Sequence, residues 1–583
     1  MKATRKIACI VLALVLVALA VAVPVSAAGK EPLVIVNGFA STALYANYGT
    51  EDQYEILGPD NLETAIGNII GGFIKGCIAY GENHKDFEKF ADKFDPIVNK
   101  YLAPLAYDLD GNPVDDTIGY DVYDMPMSEY SDEEKEAFGV FGKEYGRKYG
   151  EDKVYNFTYD WRKDPADLAD ELNAFISNVK SQSGAKKVNV IAISMGSVIL
   201  QAFINEYGAK SLNNVVYASP AWQGTSIIGN LFTGHIQLDD FAIENYLVQM
   251  GNVSFVTHVA STAISWLGTR EDLTGEYLDD VNTFVQGCLP RLYSDTIIPY
   301  IAGMPGIWSL IPAEYYEDAK AFLFSDAEPS DEYIAKLDAY HDIQLDAKNI
   351  VEKGMKDGMF WSIVCGYNRQ IAPITEEYEQ SDGVVDVKYA SGGATCSRYL
   401  KAFNDWDDMY YQKVNDGHNH LSWDYKVDAS TCMFPEYVWF IKNMDHMGYS
   451  FDTGTADYVM YLVTADKQCS VLDVVEPVTL ENGRVISKYP QFSMYNTYEF
   501  AIFKSDAYFG TWVKRCPADR PLGDIDNSSK VNTVDARLAL QIASKQRVAN
   551  ADELVYGDTN EDGFIGIDDA RTILCYAIGI DAK

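Results

Sequence analysis

A serine at the end of an apolar run has the clearest chemical potential in this sequence. The run 188–193 leads directly to Ser194, and the apolar residues 198–200 continue it as a helix. Gly196 lies two positions after the serine, and Ala192 stands two positions before it, where glycine is usual. This spacing predicts a nucleophile elbow, a strained strand-to-helix turn that lifts a hydroxyl above the edge of a sheet. A buried turn with a capping serine is the alternative.

An aspartate further along the chain lies where a catalytic acid is needed. The apolar run 360–367 predicts a buried strand, and Asp382 follows it in a loop with Gly383. A carboxylate there can hold the tautomer of a histidine and stabilise the imidazolium that forms when the serine loses its proton. Asp386, four residues later, is the alternative acid.

Two of the seven histidines lie in the segment 410–421, which we interpret as the last core strand and its loop. His418 is the favoured base because it directly follows the flexible Gly417, and His420 is the alternative. The order serine, aspartate, histidine is that of α/β-hydrolases. The H-x-H spacing could also bind a metal ion, but no cysteine or carboxylate pattern nearby completes such a site.

Two backbone amides are expected to stabilise the oxyanion of a tetrahedral intermediate. The segment 31–42 predicts an early buried strand that runs into a loop containing Gly38. In α/β-hydrolases one amide comes from such a loop and the other from the residue after the nucleophile. These residues are Phe39 and Met195. An ordinary strand end is the alternative for the loop.

Strands and helices alternate around these residues. The segment 153–162 predicts a strand, Asp164 and Pro165 begin a helix, and 214–218 predicts the strand that follows the serine helix. This alternation favours an α/β fold with a mostly parallel sheet covered on both faces. Ligands then bind at the carboxyl ends of the strands, where Ser194 lies.

The chain resembles the lecithin:cholesterol acyltransferase-like branch of the α/β-hydrolase lipases in five segments. They are Val36–Ser41, Tyr159–Arg162, Ile193–Gly196, Ser219–Thr225 and Ser381–Val385. They are similar to that family's oxyanion loop, its Y-D-W-R motif, its nucleophile turn, its P-x-x-G-[ST] segment and its acid loop. The resemblance implies a nucleophile, an acid, a base and two oxyanion donors at Ser194, Asp382, His418 or His420, Phe39 and Met195.

The resemblance has two departures close to the nucleophile. Asn37 stands where the family usually has proline, and Ala192–Ile193 where it often has Gly-His. These departures leave the acyl donor and the acyl acceptor open.

Composition and the N-terminus indicate a secreted protein of several domains. The 583 residues are too many for one ordinary domain, and the net charge of −38 argues against nucleic-acid or anionic-membrane binding. Residues 1–28 combine a basic start, an apolar run and small residues, as a secretory signal peptide does. A retained membrane anchor is the alternative. The nine cysteines are too scattered for a disulfide scaffold.

We expect a hydrolase domain over residues 29–447. Within it, residues 221–358 form a cap over an apolar substrate site or, alternatively, an inserted structural subdomain. Residues 448–517 contain short alternating runs, which predict a small β-sandwich-like module. A spacer role is favoured for this module, and carbohydrate binding is the alternative.

Residues 520–583 contain an internal repeat, in which Asp558 lies 34 residues after Asp524. Each copy places oxygen ligands at alternate positions, as the geometry of Ca²⁺ requires. The second copy offers Asp558, Asn560, Asp562, the carbonyl of Phe564, and Asp569. The first, weaker copy offers Asp524, Asp526, Ser528, the carbonyl of Lys530, and Asp535.

Two calcium loops, each followed by one helix, resemble a type I dockerin, an EF-hand-like all-α module. The resemblance implies that calcium supports the fold and that the module binds a cohesin domain of a scaffolding protein. The positions at which dockerins contact their cohesin correspond to Thr533, Val534, Ile567 and Asp568.

Together these features predict a secreted serine hydrolase that cleaves carboxylic esters without a catalytic cofactor and is tethered to a scaffold or cell surface. The resemblance to lipases favours lipid esters, whereas the dockerin favours esters of plant cell-wall polymers. The alternative is a hydrolase-fold subunit that has lost its activity and serves in binding.

Overall fold

The computed structural model describes most residues of 30–236, 286–494 and 521–579, together with short strands at 503–505 and 510–512. The predicted signal peptide, residues 237–285 of the predicted cap, and three predicted calcium ligands lie outside the described residues: Asn560, Asp562 and Phe564. Among the described helices, none has the length and apolar character to cross a lipid bilayer.

Seven parallel strands form the central sheet of the described chain. They are β1 (Leu33–Val36), β4 (Val154–Phe157), β5 (Val188–Ile193), β6 (Leu212–Ala218), β7 (Phe360–Tyr367), β10 (Val438–Lys442) and β13 (Phe492–Met494). Their order across the sheet is β13-β10-β7-β6-β5-β1-β4, and each neighbouring pair is parallel. The mostly parallel sheet of an α/β-hydrolase fold is therefore confirmed.

Short antiparallel pairs lie outside this sheet. They are β2 (Leu44–Ala46) with β3 (Tyr54–Leu57), β8 (Thr395–Cys396) with β9 (Val427–Asp428), β11 (Val478–Thr479) with β12 (Val485–Ile486), and β14 (Phe503–Ser505) with β15 (Gly510–Trp512).

The described α-helices are α1 (Phe87–Leu102), α2 (Gly139–Tyr149), α3 (Pro165–Ser183), α4 (Gly196–Tyr207), α5 (Ser226–Thr233), α6 (Pro305–Trp308), α7 (Tyr316–Leu323), α8 (Asp331–Leu345), α9 (Ala347–Lys356), α10 (Val387–Ala390), α11 (Thr453–Val463), α12 (Thr533–Ala543) and α13 (Ile567–Ala577). A π-helix spans Tyr293–Ile301.

The strand that leads to the serine is buried on both faces. All six residues of β5 are buried, as expected where helices cover both sides of a parallel sheet. The preceding helix α3 begins where the sequence indicates, because the carboxylate of Asp164 accepts the N–H of Ala166 at 3.0 Å and Pro165 occupies the first helical position. It ends at Gly184, whose φ of 71° lies in the left-handed region.

The described regular elements of the insertion between β6 and β7 are all helices. It contains α5 to α9 and the π-helix. The helices α8 and α9 pack against α4, the helix that follows the serine. Residues 331–356 of the predicted cap therefore belong to the layer that covers the sheet.

Two described segments of the predicted β-module over residues 448–517 belong to the hydrolase fold instead. The segment 457–463 is one of the alternating runs that predicted this module, but it lies in α11, and this helix packs against β5, β6 and β7. Its buried residues Tyr458, Val459, Leu462 and Val463 repeat at helical spacing, which the alternating interpretation missed. In addition, β13 extends the central sheet by pairing with β10.

Candidate active site

Ser194 occupies the strained turn that the sequence predicts. It lies between the end of β5 and the start of α4 with a φ of 50°, which is rare for a residue other than glycine. Its N–H donates to the carbonyl of Ala218 on β6 at 3.1 Å. Gly196 is required for the close packing of this turn, because a Cβ at that position would lie 2.1 Å from the carbonyl oxygen of Val36.

A histidine and an aspartate complete a hydrogen-bonded chain from the serine. Nε2 of His446 lies 2.9 Å from Oγ of Ser194, and Nδ1 of His446 lies 2.8 Å from Oδ2 of Asp382. The other carboxylate oxygen, Oδ1, accepts the N–H groups of Val384 and Val385 at 3.0 and 2.8 Å. The arrangement has the geometry of a nucleophile, a general base and an acid that orients the base.

The surroundings of His446 favour its charged form. Burial opposes the charge on the ring, but the negative charge of Asp382, the hydrogen bond to it, and the charge of Asp445 outweigh burial and raise the pKa of His446 above 6.5. The imidazolium that forms on proton transfer is therefore stabilised.

The structure corrects the predicted base. His446, rather than His418 or His420, lies beside Ser194. The imidazole of His420 is fully buried, and its Nδ1 lies 2.8 Å from Oε1 of Gln491. His418 is exposed, and its carbonyl accepts the side-chain amide of Gln412 at 2.7 Å.

The error arose from the choice of the last core strand. The described residues of 410–421 contribute no strand to the central sheet, whereas the fully buried β10 pairs with β7. Asn443, with a φ of 63°, turns the chain directly after β10, and His446 follows three residues later. The apolar run 438–441 followed by a polar loop was the available signal for this histidine.

The two candidate acids have different partners. Asp386 binds the first residue of α5, since its Oδ2 accepts the N–H of Ser226 and its Oδ1 accepts the hydroxyl of Ser226, both at 2.8 Å. The structure thus brings Asp382, the favoured acid, to the histidine and gives Asp386 a capping position.

Of the two residues proposed as oxyanion donors, Met195 directly follows the serine in sequence, and Phe39 directly follows Gly38, which lies against the serine. A Cβ built on Gly38 would lie 2.8 Å from Cβ of Ser194 and 3.3 Å from its Oγ, so the loop that carries Phe39 is in contact with the serine. Met195 follows the serine and is fully buried. The ring of Phe39 is partly exposed and lies 4.4 Å from the ring of Trp161.

The Y-D-W-R segment, residues 159–162, is held by hydrogen bonds to another part of the protein. Arg162 is buried and pairs with Asp160 through two contacts, Nε to Oδ1 at 2.9 Å and an Nη to Oδ2 at 2.7 Å. A further N–H of Arg162 donates to the carbonyl of Leu105 at 3.1 Å. Such a bidentate pair has fixed geometry, so Arg162 holds the segment after β4 against the chain at Leu105.

The first predicted calcium loop brings three carboxylates together. One oxygen from each of Asp524, Asp526 and Asp535 lies within 4.8 Å of the others. Asp524 and Asp535 are fully buried, whereas Asp526 is exposed. Ser528 lies at the same loop, where its N–H donates to Asp524 at 3.0 Å and its hydroxyl to the carbonyl of Lys530 at 3.1 Å.

The second predicted loop repeats the closing carboxylate of the first. Oδ2 of Asp535 accepts the N–H of Asn532 at 2.9 Å, and Oδ2 of Asp569 accepts the N–H of Gly566 at 2.8 Å. Asp558 and Asp569 are fully buried, like their counterparts in the first loop. The helices α12 and α13 that follow the loops pack together.

The four residues expected to contact a partner are all exposed. They lie in the first turns of α12 and α13 and are Thr533, Val534, Ile567 and Asp568. The side chain of Ile567 is the most notable, since 70% of the residue surface is accessible although it is apolar.

Comparisons with known proteins agree with part of this assignment. Residues 143–237 match the family described as lecithin:cholesterol acyltransferase, and this stretch includes the Y-D-W-R segment and Ser194. The match supports a lecithin:cholesterol acyltransferase-like α/β-hydrolase.

The chain is also similar to one in a solved structure titled "The crystal structure of Tle4-Tli4 complex". The two are 11% identical, the similarity covers 74% of this chain and 98% of that chain, and the TM-score is 0.28. No curated protein matches the chain.

Proposed function

We propose that this protein is a secreted serine hydrolase that cleaves carboxylic esters through Ser194, His446 and Asp382. The continuous hydrogen-bonded chain from Ser194 through His446 to Asp382 is the observation that carries the proposal. The family match over residues 143–237 supports chemistry of the lipase, esterase or acyltransferase type. The composition of residues 1–28 supports secretion.

The reaction follows from the positions of these groups. Nε2 of His446 accepts the proton of Ser194 as its Oγ attacks the ester carbonyl, and the amides of Phe39 and Met195 receive the oxyanion. The imidazolium then donates its proton to the leaving alcohol. Water attacks the acyl-enzyme with His446 again as the base, which releases the acid and restores Ser194.

The test is covalent labelling by a fluorophosphonate, which reacts with an activated serine. We expect labelling of the wild type and none of Ser194→Ala. Ser197→Ala is a matched control, because Ser197 lies on the same turn. Its hydroxyl donates to the carbonyl of Ser194 at 2.5 Å, whereas Nε2 of His446 lies on the hydroxyl of Ser194. An unlabelled wild type, or equal labelling of Ser194→Ala, would favour the alternative of an inactive binding subunit.

We also propose that residues 520–583 form a calcium-stabilised dockerin-type module that binds a cohesin domain. The buried carboxylates of Asp524 and Asp535, close to Asp526, support a cation in the first loop. The pair Asp558 and Asp569 supports the second, with Asn560, Asp562 and the carbonyl of Phe564 as its further ligands by sequence.

Calcium removal tests the module. We expect a chelator to abolish cohesin binding and calcium to restore it. Asp535→Asn and Asp569→Asn are equivalent changes in the two loops, and each is expected to lower calcium affinity. Cohesin binding that survives the chelator unchanged would refute the role of calcium.

A further inference from the structure

We propose that Tyr159 is a positioning residue for ester hydrolysis, because its hydroxyl fixes the loop that presents the amide of Phe39 to the oxyanion. The inference rests on the proposed function and assigns a task to a residue that does not touch the substrate. We call residues 37–42 the oxyanion loop.

Tyr159 contacts both ends of the oxyanion loop. Its hydroxyl donates to the carbonyl of Asn37 at 2.5 Å, and its backbone N–H donates to Oγ1 of Thr42 at 3.3 Å. The side chain is buried, and burial raises the pKa of the Tyr159 hydroxyl above its ordinary value of 10. The hydroxyl therefore remains a donor throughout the pH range of an ester assay.

The side chain of Asn37 is held by a second, separate contact. Its Nδ2 donates to Oδ1 of Asn156 at 2.8 Å, and Nδ2 of Asn156 donates to the carbonyl of Ala137 at 3.0 Å. Asn156 lies on β4 and is buried, so its amide has a fixed position. Both the carbonyl and the side chain of Asn37 are thus attached to residues of β4 or directly after it.

The oxyanion loop has a conformation that needs such restraint. Ala40 is buried with a φ of 54°, a region that is strained for a residue other than glycine. Gly38 lies against Ser194 so closely that even a Cβ would be 2.8 Å from the Cβ of the serine. A loop that relaxes from this position moves the amide of Phe39 relative to the carbonyl that Ser194 attacks.

The position of that amide affects the rate of the chemical step, whereas it has little effect on substrate binding. A donor stabilises the oxyanion only where charge develops, at roughly 2.7–3.1 Å from the oxygen. A displacement of about 1 Å can lower the rate by about 100-fold. Release of the oxyanion loop is therefore expected to lower kcat and to change KM little.

The test compares two tyrosines that hold opposite ends of β1. The hydroxyl of Tyr145 donates to the carbonyl of Glu31 before β1, also at 2.5 Å, and the Tyr145 side chain is fully buried. Tyr159→Phe and Tyr145→Phe each remove one buried hydroxyl that donates to a backbone carbonyl. Only the first change reaches the oxyanion loop.

We expect Tyr159→Phe to lower kcat on a soluble nitrophenyl ester by roughly tenfold or more, with KM within about twofold. Inhibition by a simple boronic acid, whose tetrahedral adduct on Ser194 places an oxygen at the oxyanion position, is expected to weaken by a similar factor. Tyr145→Phe should keep kcat and boronic-acid inhibition close to wild type, even if its melting temperature falls as far as that of Tyr159→Phe.

Equal kcat values for the two variants, or a loss in Tyr159→Phe that lies in KM alone, would overturn the inference. If Tyr159→Phe does not fold, Thr42→Val supplies the comparison, because it removes the other contact of Tyr159 with the oxyanion loop, the acceptor of its backbone N–H. A wild type without Ser194-dependent turnover would instead refute the proposed function, which is a different outcome from active variants with unchanged kcat.

Discussion

Two histidines of this protein have similar hydrogen bonds but different chemical surroundings. His420 and His446 are both largely buried, and the Nδ1 of each lies 2.8 Å from a side-chain oxygen. The oxygen belongs to the neutral amide of Gln491 for His420 and to the carboxylate of Asp382 for His446. Only His446 has its second nitrogen on the hydroxyl of Ser194.

The difference shows that a buried histidine with a good partner is not by itself a base. A carboxylate stabilises the imidazolium, whereas an amide only fixes the orientation of the ring. Gln491 in turn donates from Nε2 to the carbonyl of Pro435 at 2.7 Å, so His420 belongs to a structural network beside β10. We therefore expect a packing role for His420 and proton transfer at His446.

Replacing each histidine separates the two roles most strongly. His446→Ala removes the base and is expected to lower kcat on a nitrophenyl ester by about 10⁴-fold or more. His420→Ala is expected to stay within about tenfold of the wild type where it folds. Large, equal losses in both variants at a temperature where both are folded would contradict the distinction.

Replacing the two aspartates has the next largest effect. Asp382→Asn keeps the shape of the acid but removes the charge that stabilises the imidazolium, so kcat should fall by about 10³–10⁴-fold. Asp386→Asn is the matched control on the same loop, since it contacts Ser226 rather than His446. A greater loss of turnover in Asp386→Asn than in Asp382→Asn would contradict the assignment of the acid.

Replacement of the buried His420 should lower the stability of the protein, whereas replacement of the exposed His418 should not. His420→Ala leaves a cavity and removes the partner of Gln491, so the free energy of unfolding should fall by about 2 kcal/mol. The exposed His418 is the control, and His418→Ala should change it by less than about 0.5 kcal/mol. Denaturant unfolding of both variants measures this difference, and equal values would exclude a structural role for His420.

The smallest expected effect is on the pH dependence of kcat/KM. The base must be neutral, so activity falls as the pH decreases through the pKa of His446, which lies above 6.5. Asp445→Asn removes one negative charge that raises this pKa, so the acidic limb should move to lower pH. Asp466→Asn, whose side chain is almost fully exposed, is the control. An upward shift in Asp445→Asn would contradict the electrostatic account.

The sequence was sufficient to select Ser194 and Asp382 because each comes after a mostly apolar, buried strand, β5 or β7. The turn at Ser194 also needs Gly196, and Asp382 needs a tight loop, so local composition identifies both. These features depend on residues close in the chain, which is why they are accessible without coordinates.

His446 could not be identified from local sequence because its place beside Ser194 depends on the order of the strands in the sheet. The pair His418 and His420 gave a stronger local signal than the single His446, yet only the pairing of β10 with β7 brings a histidine to Ser194. The β-module failed for a related reason: α11 and β13 gain their burial from the central sheet, which the alternation within 448–517 does not reveal.

Rescue by imidazole tests the central claim, that His446 activates Ser194, most directly. In His446→Gly, the account predicts that added imidazole occupies the space of the lost ring and raises turnover of a nitrophenyl ester with increasing concentration, while Ser194→Ala gains nothing beyond the uncatalysed rate. Wild-type turnover in His446→Gly without imidazole, or an equal gain in Ser194→Ala, would contradict the account.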